Sequence, residues 1–284
     1  MWSTLSLARP LGWPLIAVLS LSLTQASQAP RPMSFSATLT SIKVSARPGQ
    51  VITRQFQLTL DGDQARSRFK AKVEDWWRSE DGQQSFYGAP GTLRRSCARW
   101  TSLNPVESNV EPGGTLVVRI TVTVPRELVP GGYWCALTVD EVPDPLASSA
   151  GVGVRFAASV STGIFLYVDP VERDASILDL KIDSTRIAVK VRNQGNAPLG
   201  IEGRLQFFVP GSSIPAATID LPRTTVLTEP FVDGELSGLL PSATALPSGR
   251  YVVRAILDIG ADHDIGAERE ITLTRASSSN APVR

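Results

Sequence analysis

Few residues in this chain are of a type, and at a spacing, that chemistry requires. Among 284 residues there is one histidine, His263, and there are two cysteines, Cys97 and Cys135. A hydrolytic triad needs an imidazole as proton shuttle, and His263 stands in Gly260-Ala-Asp-His-Asp-Ile-Gly266, a stretch with the composition of a hairpin loop. Asp262, His263 and Asp264 are competent metal ligands by type. Neighbouring residues of a strand and its loop point apart, however, and no fourth ligand is evident, so the segment reads as a solvated turn. No Gly-x-Ser-x-Gly, no phosphate-cradling glycine loop and no cysteine pair with zinc spacing occurs, and no carboxylate pair of the glycosidase kind stands out. The expectation is a protein that is not an enzyme, with no metal and no other cofactor. Trp76-Trp77 is the remaining candidate, an aromatic platform for a glycan or peptide. Because successive strand residues face opposite sides, the preferred reading places one ring in the core and the other over the sandwich edge.

The two cysteines take their meaning from the start of the chain. Residues 1–29 carry Arg9 as the only charge, an apolar run from Leu11 to Leu23, and then Thr24-Gln-Ala-Ser-Gln-Ala29. A basic start, a short apolar core and small residues at a cut site make a secretory signal peptide, and the run is shorter than the roughly 20 residues of a spanning helix. The expected product is exported, periplasmic or secreted, with no membrane insertion after cleavage. In an oxidising compartment an even pair of cysteines reads as one disulfide, Cys97–Cys135. The formal net charge of +1 offers no basic field for nucleic acid.

The elements that would position these residues are strands. Phe56, Leu58, Leu60; Phe69, Ala71, Val73; and Leu116, Val118, Ile120, Val122, Val124 alternate with polar residues, the period of half-buried antiparallel strands. Arg47-Pro-Gly49, Asp61-Gly-Asp63, Glu111-Pro-Gly-Gly114 and Pro130-Gly-Gly132 supply turns. The class is all-β, with two consecutive immunoglobulin-like β-sandwich domains after the signal peptide: residues 34–170 and 176–275, then a disordered tail over 276–284. In the second half, strands are expected around Leu178 to Ile182, Ile187 to Val191, Ile201 to Val209, Tyr251 to Ile259 and Ala267 to Leu273. Pro130-Gly-Gly-Tyr133 is echoed by Pro247-Ser-Gly-Arg-Tyr251, each reading as a turn entering a penultimate strand. Tyr133, two residues before Cys135, has the spacing of a tyrosine corner.

The first domain resembles the N-terminal domain of periplasmic pilus chaperones of the chaperone–usher pathway. The resemblance is carried by Ala71-Lys-Val-Glu-Asp-Trp-Trp77, Ser96-Cys-Ala-Arg-Trp100 through Pro105, Pro112-Gly-Gly114, Val122-Thr-Val-Pro125, Pro130-Gly-Gly-Tyr-Trp134, Glu141-Val-Pro143 and Ile164-Phe-Leu-Tyr-Val-Asp-Pro170. The second domain, with Val191-Arg-Asn-Gln-Gly-Asn196 and Leu246-Pro-Ser-Gly-Arg-Tyr251, is similar to the C-terminal domain of the same proteins. The resemblance implies β-augmentation, an edge strand lent to a subunit that lacks one. Val152, Val154, Phe156, Ala158 and Val160 are the row it would offer, and an exposed apolar edge of that kind aggregates unless a partner covers it. For Ile164, Leu166 and Val168, in phase with that row, an ordinary place in the core is expected. The implied partner is a protein subunit of a pilus-like surface structure, with an outer-membrane usher as a further partner. The family anchors its subunit's C-terminal carboxylate with an Arg on the first strand and a Lys near the end of strand G. Here the Lys position is Phe165, and Lys43 lies on the first strand. The competing reading is an envelope scaffold or adhesion module that binds a surface protein or peptidoglycan.

Overall fold

A computed structural model describes residues 35–38, 41–87, 89–142, 157–183, 185–242 and 244–274. The expected signal peptide and C-terminal tail therefore lie outside the described residues, as do Val152, Val154 and Phe156. Among the described residues the chain is all-β apart from a 3-10 turn at Ala98–Trp100, and no helix is long and apolar enough to cross a membrane. The described residues form seventeen strands: β1 (Phe35–Ala37), β2 (Ser41–Ala46), β3 (Val51–Leu60), β4 (Ser67–Arg78), β5 (Gln84–Tyr87), β6 (Thr101–Asn104), β7 (Glu107–Val110), β8 (Thr115–Thr123), β9 (Gly131–Val142), β10 (Ser159–Val168), β11 (Ala175–Ile182), β12 (Arg186–Asn193), β13 (Leu199–Phe208), β14 (Ala217–Val226), β15 (Asp233–Leu239), β16 (Gly249–Asp258) and β17 (Ile265–Leu273).

Two sandwiches result. In the first, a sheet ordered β1-β3-β8-β6 faces one ordered β2-β10-β9-β4-β5, with β7 also paired to β4. In the second, β11-β12-β15 faces β14-β13-β16-β17. Each encloses its own apolar core. Phe56, Leu58, Phe69, Val118, Leu137, Ile164 and Leu166 fill the first, and Ile187, Val189, Leu205, Phe207, Val253 and Leu257 the second. The alternation of apolar residues is what places them there, since every second side chain of a strand meets the opposing sheet. Ile164, Leu166 and Val168 are core residues of the first sandwich, as their phase indicates.

Two strands of the second sandwich, β14 and β15, are not among those expected from the sequence, and packing accounts for the residues that obscure them. Pro222 interrupts β14, yet β14 is the edge of its sheet, where a missing N–H breaks no ladder. Gly234 and Gly238 thin out β15 because β14 passes close by: a Cβ at Gly238 would lie 2.5 Å from Ile219 Cγ2, and one at Gly234 2.8 Å from Val226 Cγ2.

Cys97 and Cys135 are joined, with Cα atoms 5.3 Å apart. The bond fastens the segment before the 3-10 turn to β9. Asp75, fully buried, holds the same segment by accepting the backbone N–H groups of Gly91, Thr92 and Leu93 and the Ser96 hydroxyl.

The described residues belong to one compact unit, and polar contacts join the sandwiches. The Arg95 N–H donates to Glu229 Oε1 at 2.5 Å, Lys190 Nζ pairs with Glu80 at 2.8 Å, and the Gly132 N–H donates to the Asn196 carbonyl at 2.9 Å. The Gly131-Gly132 pair is more than a turn, because a Cβ at Gly132 would meet Pro198 Cδ at 2.3 Å. Asn196 also holds the connecting segment, accepting from the Glu172 N–H and donating to the Pro170 carbonyl.

Candidate functional site: the edge of β10 and the cleft beside it

Strand β10 is bordered unequally. Along its whole length it pairs antiparallel with β9, from Ser159–Asp140 to Val168–Gly131. On the other side the parallel strand β2 covers it only from Gly163, opposite Ser41, to Val168, opposite Ala46. From Ser159 to Ser161 no strand among the described residues lies on that side. β1 belongs to the other sheet, paired to β3, and β2 pairs with β10 only from Ser41 onward. The ladder with β9 extends one residue upstream, where the Ala158 carbonyl accepts from the Glu141 N–H and the Ala158 N–H donates to Glu141 Oε2.

The side chains of β10 divide by parity. Val160, Ile164, Leu166 and Val168 face the first core, Val160 only half covered. Phe165 and Tyr167 face outward, toward the second sandwich. Of the five residues expected to form the apolar row, the structure describes Ala158 and Val160, both half-buried. Val160 continues the core-facing row.

The outward face opens on a cleft of about 370 Å³ lined by Ser41 and Lys43 of β2, Trp76 and Arg78 of β4, Gln84 and Phe86 of β5, Ala136 of β9, Ser161, Gly163 and Phe165 of β10, and Arg223 and Thr225 of β14. A second recess of about 310 Å³ shares Lys43 and Arg223 and adds Tyr167 and Arg173. Lys43 and Arg223 line both, Arg78 lines the first and Arg173 the second, and among the described residues no Asp or Glu lines either.

The ladder places Lys43 directly opposite Phe165. Burial, and then the guanidiniums of Arg223 and Arg173, hold the Lys43 ammonium below its ordinary range, with Glu202 opposing. Arg223 pairs with Glu202 at 2.9 Å and lies over Gly200, where a Cβ would stand 2.5 Å from Nη2. The Arg173 guanidinium sits 5.3 Å from the Tyr167 ring centre. Burial also lowers the Arg78 guanidinium. Its Nη1 donates to the Gly82 carbonyl, while its Nε is buried with no hydrogen-bond partner among the described residues. Such a cluster suits an anion, since one carboxylate would relieve repulsion among like charges and accept from several donors at once.

Trp76 is buried, but on the cleft face of its sheet rather than between the sheets. There it joins Trp134, Ala136, Phe165 and Leu227 in a small separate cluster, and Trp77 is half-buried with its ring 5.9 Å from that of Tyr87. Asp262 and His263 are exposed and pair with each other at 2.8 Å. Among the described residues no three His, Cys, Asp or Glu side chains are grouped to hold a metal.

The resemblance directs attention to Lys43 and Phe165 but not to Arg78, Arg173 or Arg223. These three are far apart in sequence and each reads as a solvated surface charge. Only the packing of the second sandwich against β2 and β10 brings them together.

No family model and no curated protein matches the chain. Solved structures that it matches include the class 5 fimbriae chaperone CfaA, at 12% identity and a TM-score of 0.45, covering 84% of this chain and 100% of that one. The Pseudomonas aeruginosa CupB2 chaperone matches at 15% and 0.43, over 84% of this chain and 100% of that one. The Salmonella enterica SafA pilin in complex with the SafB chaperone matches at 14% and 0.43, over 86% of this chain and 99% of that one.

Proposed function

We propose that this chain is a chaperone for a subunit of a pilus-like surface structure, and that it holds the subunit by strand addition at the edge of β10. The observation that carries the reading is the half-covered edge, which runs in line with β2 into a cleft whose charged lining residues, among those described, are all cations. A strand added beside Ser159–Ser161 would use backbone hydrogen bonds for affinity and alternate side chains for specificity. The upstream row of Val152, Val154 and Phe156 would extend that edge, with Ala158 and Val160 at its inner end.

Charge sets the direction of the client. A strand parallel to β10, like β2, ends with its C-terminus at Ser41, and Lys43 is two residues further, roughly 7 Å along the strand. An antiparallel client would bring an ammonium to the same cations. The parallel client therefore wins, its terminal carboxylate taken between Lys43 and Arg223, a pair contributed by both sandwiches.

The test replaces Val154 and Phe156 with Asp in the exported protein. Client capture from a periplasmic extract should be lost while circular dichroism is unchanged. Loss of the β signal itself would make these side chains core and end the reading. Carboxylate binding also favours the protonated Lys43, so affinity should fall as pH rises through the lowered lysine pKa toward the ordinary 10.5. A flat profile over that range would remove Lys43 from the anchor.

A further inference from the structure

Resting on the carboxylate anchor between Lys43 and Arg223, we propose that Leu227 is the positioning residue of that anchor, an apolar pin that holds Arg223 over the cleft at its working distance from Lys43. Arg223 reaches the cleft through an irregularity in the ladder between β13 and β14. Ile201 pairs with Thr224 but Gly203 with Leu221, so Glu202 opposes both Pro222 and Arg223, a β-bulge. Before the bulge the odd-numbered Ile219 and Leu221 face the second core, and after it the even-numbered Val226 does. The extra residue thus turns Arg223 and Thr225, which would otherwise continue the inward row of Ile219 and Leu221, out to the cleft that both line. Among the described residues β14 pairs only with β13, so its line beyond the bulge is set from one side of its sheet.

The first sandwich holds that strand from the other side. Leu227 follows Val226 directly and is 1% exposed, yet it packs outside the second core, against Trp76, Trp134, Ala136 and Phe165 of the first sandwich. This socket is rigid. Trp76 Nε1 donates to the Cys135 carbonyl at 3.2 Å, Trp134 Nε1 donates to the Trp76 carbonyl at 2.8 Å, and the Phe165 ring stands edge-on to Trp76 with centres 5.9 Å apart. Phe165 is also the residue directly opposite Lys43 on β2. One ring therefore closes the socket and neighbours the lysine, and Arg223 stands at the end of a short lever, about 13 Å of strand from the pin. Its own fastenings are weaker: the guanidinium lies over Gly200 and pairs with a half-exposed Glu202 at 2.9 Å. An exposed ion pair contributes little beside a fully buried leucine, so the pin rather than Glu202 decides where Arg223 stands.

The first half of the test needs no client. Burial, then Arg223 and Arg173, hold the Lys43 ammonium below its ordinary range against the opposing Glu202, so its titration reports how near Arg223 stands. In the full mature chain, Leu227→Ala should raise the Lys43 pKa toward the ordinary 10.5, followed by carbon NMR at the lysine Cε, while circular dichroism keeps its β signal. In an Arg223→Gln background the same change should move the titration far less. Leu227→Met, which refills the socket, should keep the titration of the unaltered protein. Should Leu227→Ala not fold, Leu227→Val takes its place with the same expectations. An unmoved titration in the folded variant, or a rise equally large without Arg223, overturns the pin.

The second half uses one synthetic peptide of alternating apolar residues, as the free acid and as the C-terminal amide, titrated by fluorescence anisotropy. The unaltered protein should bind the acid about tenfold more tightly. Leu227→Ala should cut that preference to about twofold, and a preference kept in full counts against the pin. Equal binding of acid and amide by the unaltered protein, with the Lys43 titration responding as expected, would remove the carboxylate anchor and leave the pin standing. Failure of both peptides to bind at millimolar concentration would count against strand addition itself.

Discussion

Strand β9 of the first sandwich and β16 of the second are counterparts. Each enters from a turn, and each begins near a tyrosine whose hydroxyl donates to the carbonyl four residues upstream, Tyr133 to Val129 at 2.8 Å and Tyr251 to Pro247 at 2.9 Å. Their burial differs. Along β16, Tyr251, Val253, Ala255 and Leu257 are buried, while Arg250 and Arg254 face out and pair with Glu270 and Glu268. In β9 every residue from Gly131 to Val139 is buried. Tyr133, Cys135, Leu137 and Val139 face the first core, and Trp134 and Ala136 face the separate cluster completed by Leu227 of the second sandwich. One sandwich is an ordinary two-layer unit with a solvated back. The other has a sheet covered on both faces, and the half-covered edge of β10 is the next strand over.

Removing the disulfide should separate the two most. Only the first sandwich has one, closing a separation of 38 residues, and its loss should cost roughly 4 kcal/mol in the chain-entropy model. In the double variant Cys97→Ala, Cys135→Ala, calorimetry should show the first sandwich unfolding at a lower temperature and the second little changed. A uniform shift of both would mean that they unfold as one unit.

The tyrosines offer a matched pair. Tyr133→Phe and Tyr251→Phe each delete one hydroxyl donor with the ring retained, and each should cost about 1 kcal/mol in denaturant unfolding. Tyr133 also lies under Arg95 and beside Trp100, contacts that the Phe variant keeps. A much larger loss at Tyr133 than at Tyr251 would show that the two corners are not equivalent.

The smallest effect should come from the tip between β4 and β5, where Glu80 reaches Lys190 of the second sandwich. Glu80 is half exposed, so Glu80→Gln should cost no more than about 0.5 kcal/mol, and less at high salt. A loss several times larger would make this contact a structural clasp between the sandwiches.

Much of the architecture was legible in the sequence, because a half-buried strand writes its burial as alternation. The all-β class, the core phase of Ile164, Leu166 and Val168, and the corner spacing of Tyr133 were readable for that reason. The double cover of β9 was less so. Tyr-Trp-Cys-Ala-Leu-Thr-Val is a continuous run, and nothing local tells which neighbour covers the Trp134 face. Strands β14 and β15 were hidden by Pro222, Gly234 and Gly238, residues whose reason is an edge position or a close approach. For the site, Lys43 and Phe165 could be singled out. Their alignment, and the arrival of Arg78, Arg173 and Arg223 around them, depends on how the sandwiches meet.

The two-sided cover of β9 also bears on the order in which the molecule can be completed. Leu227 lies 59 residues beyond Val168, the end of β10. A chain growing or crossing a membrane N-terminus first therefore finishes the first sandwich while Trp76, Trp134, Ala136 and Phe165 still lack their cover. Over that interval the unfinished protein presents the kind of sticky surface that a chaperone exists to hide. Truncation before residue 227 makes the interval permanent, and such fragments should be recovered as aggregates rather than as a free first sandwich.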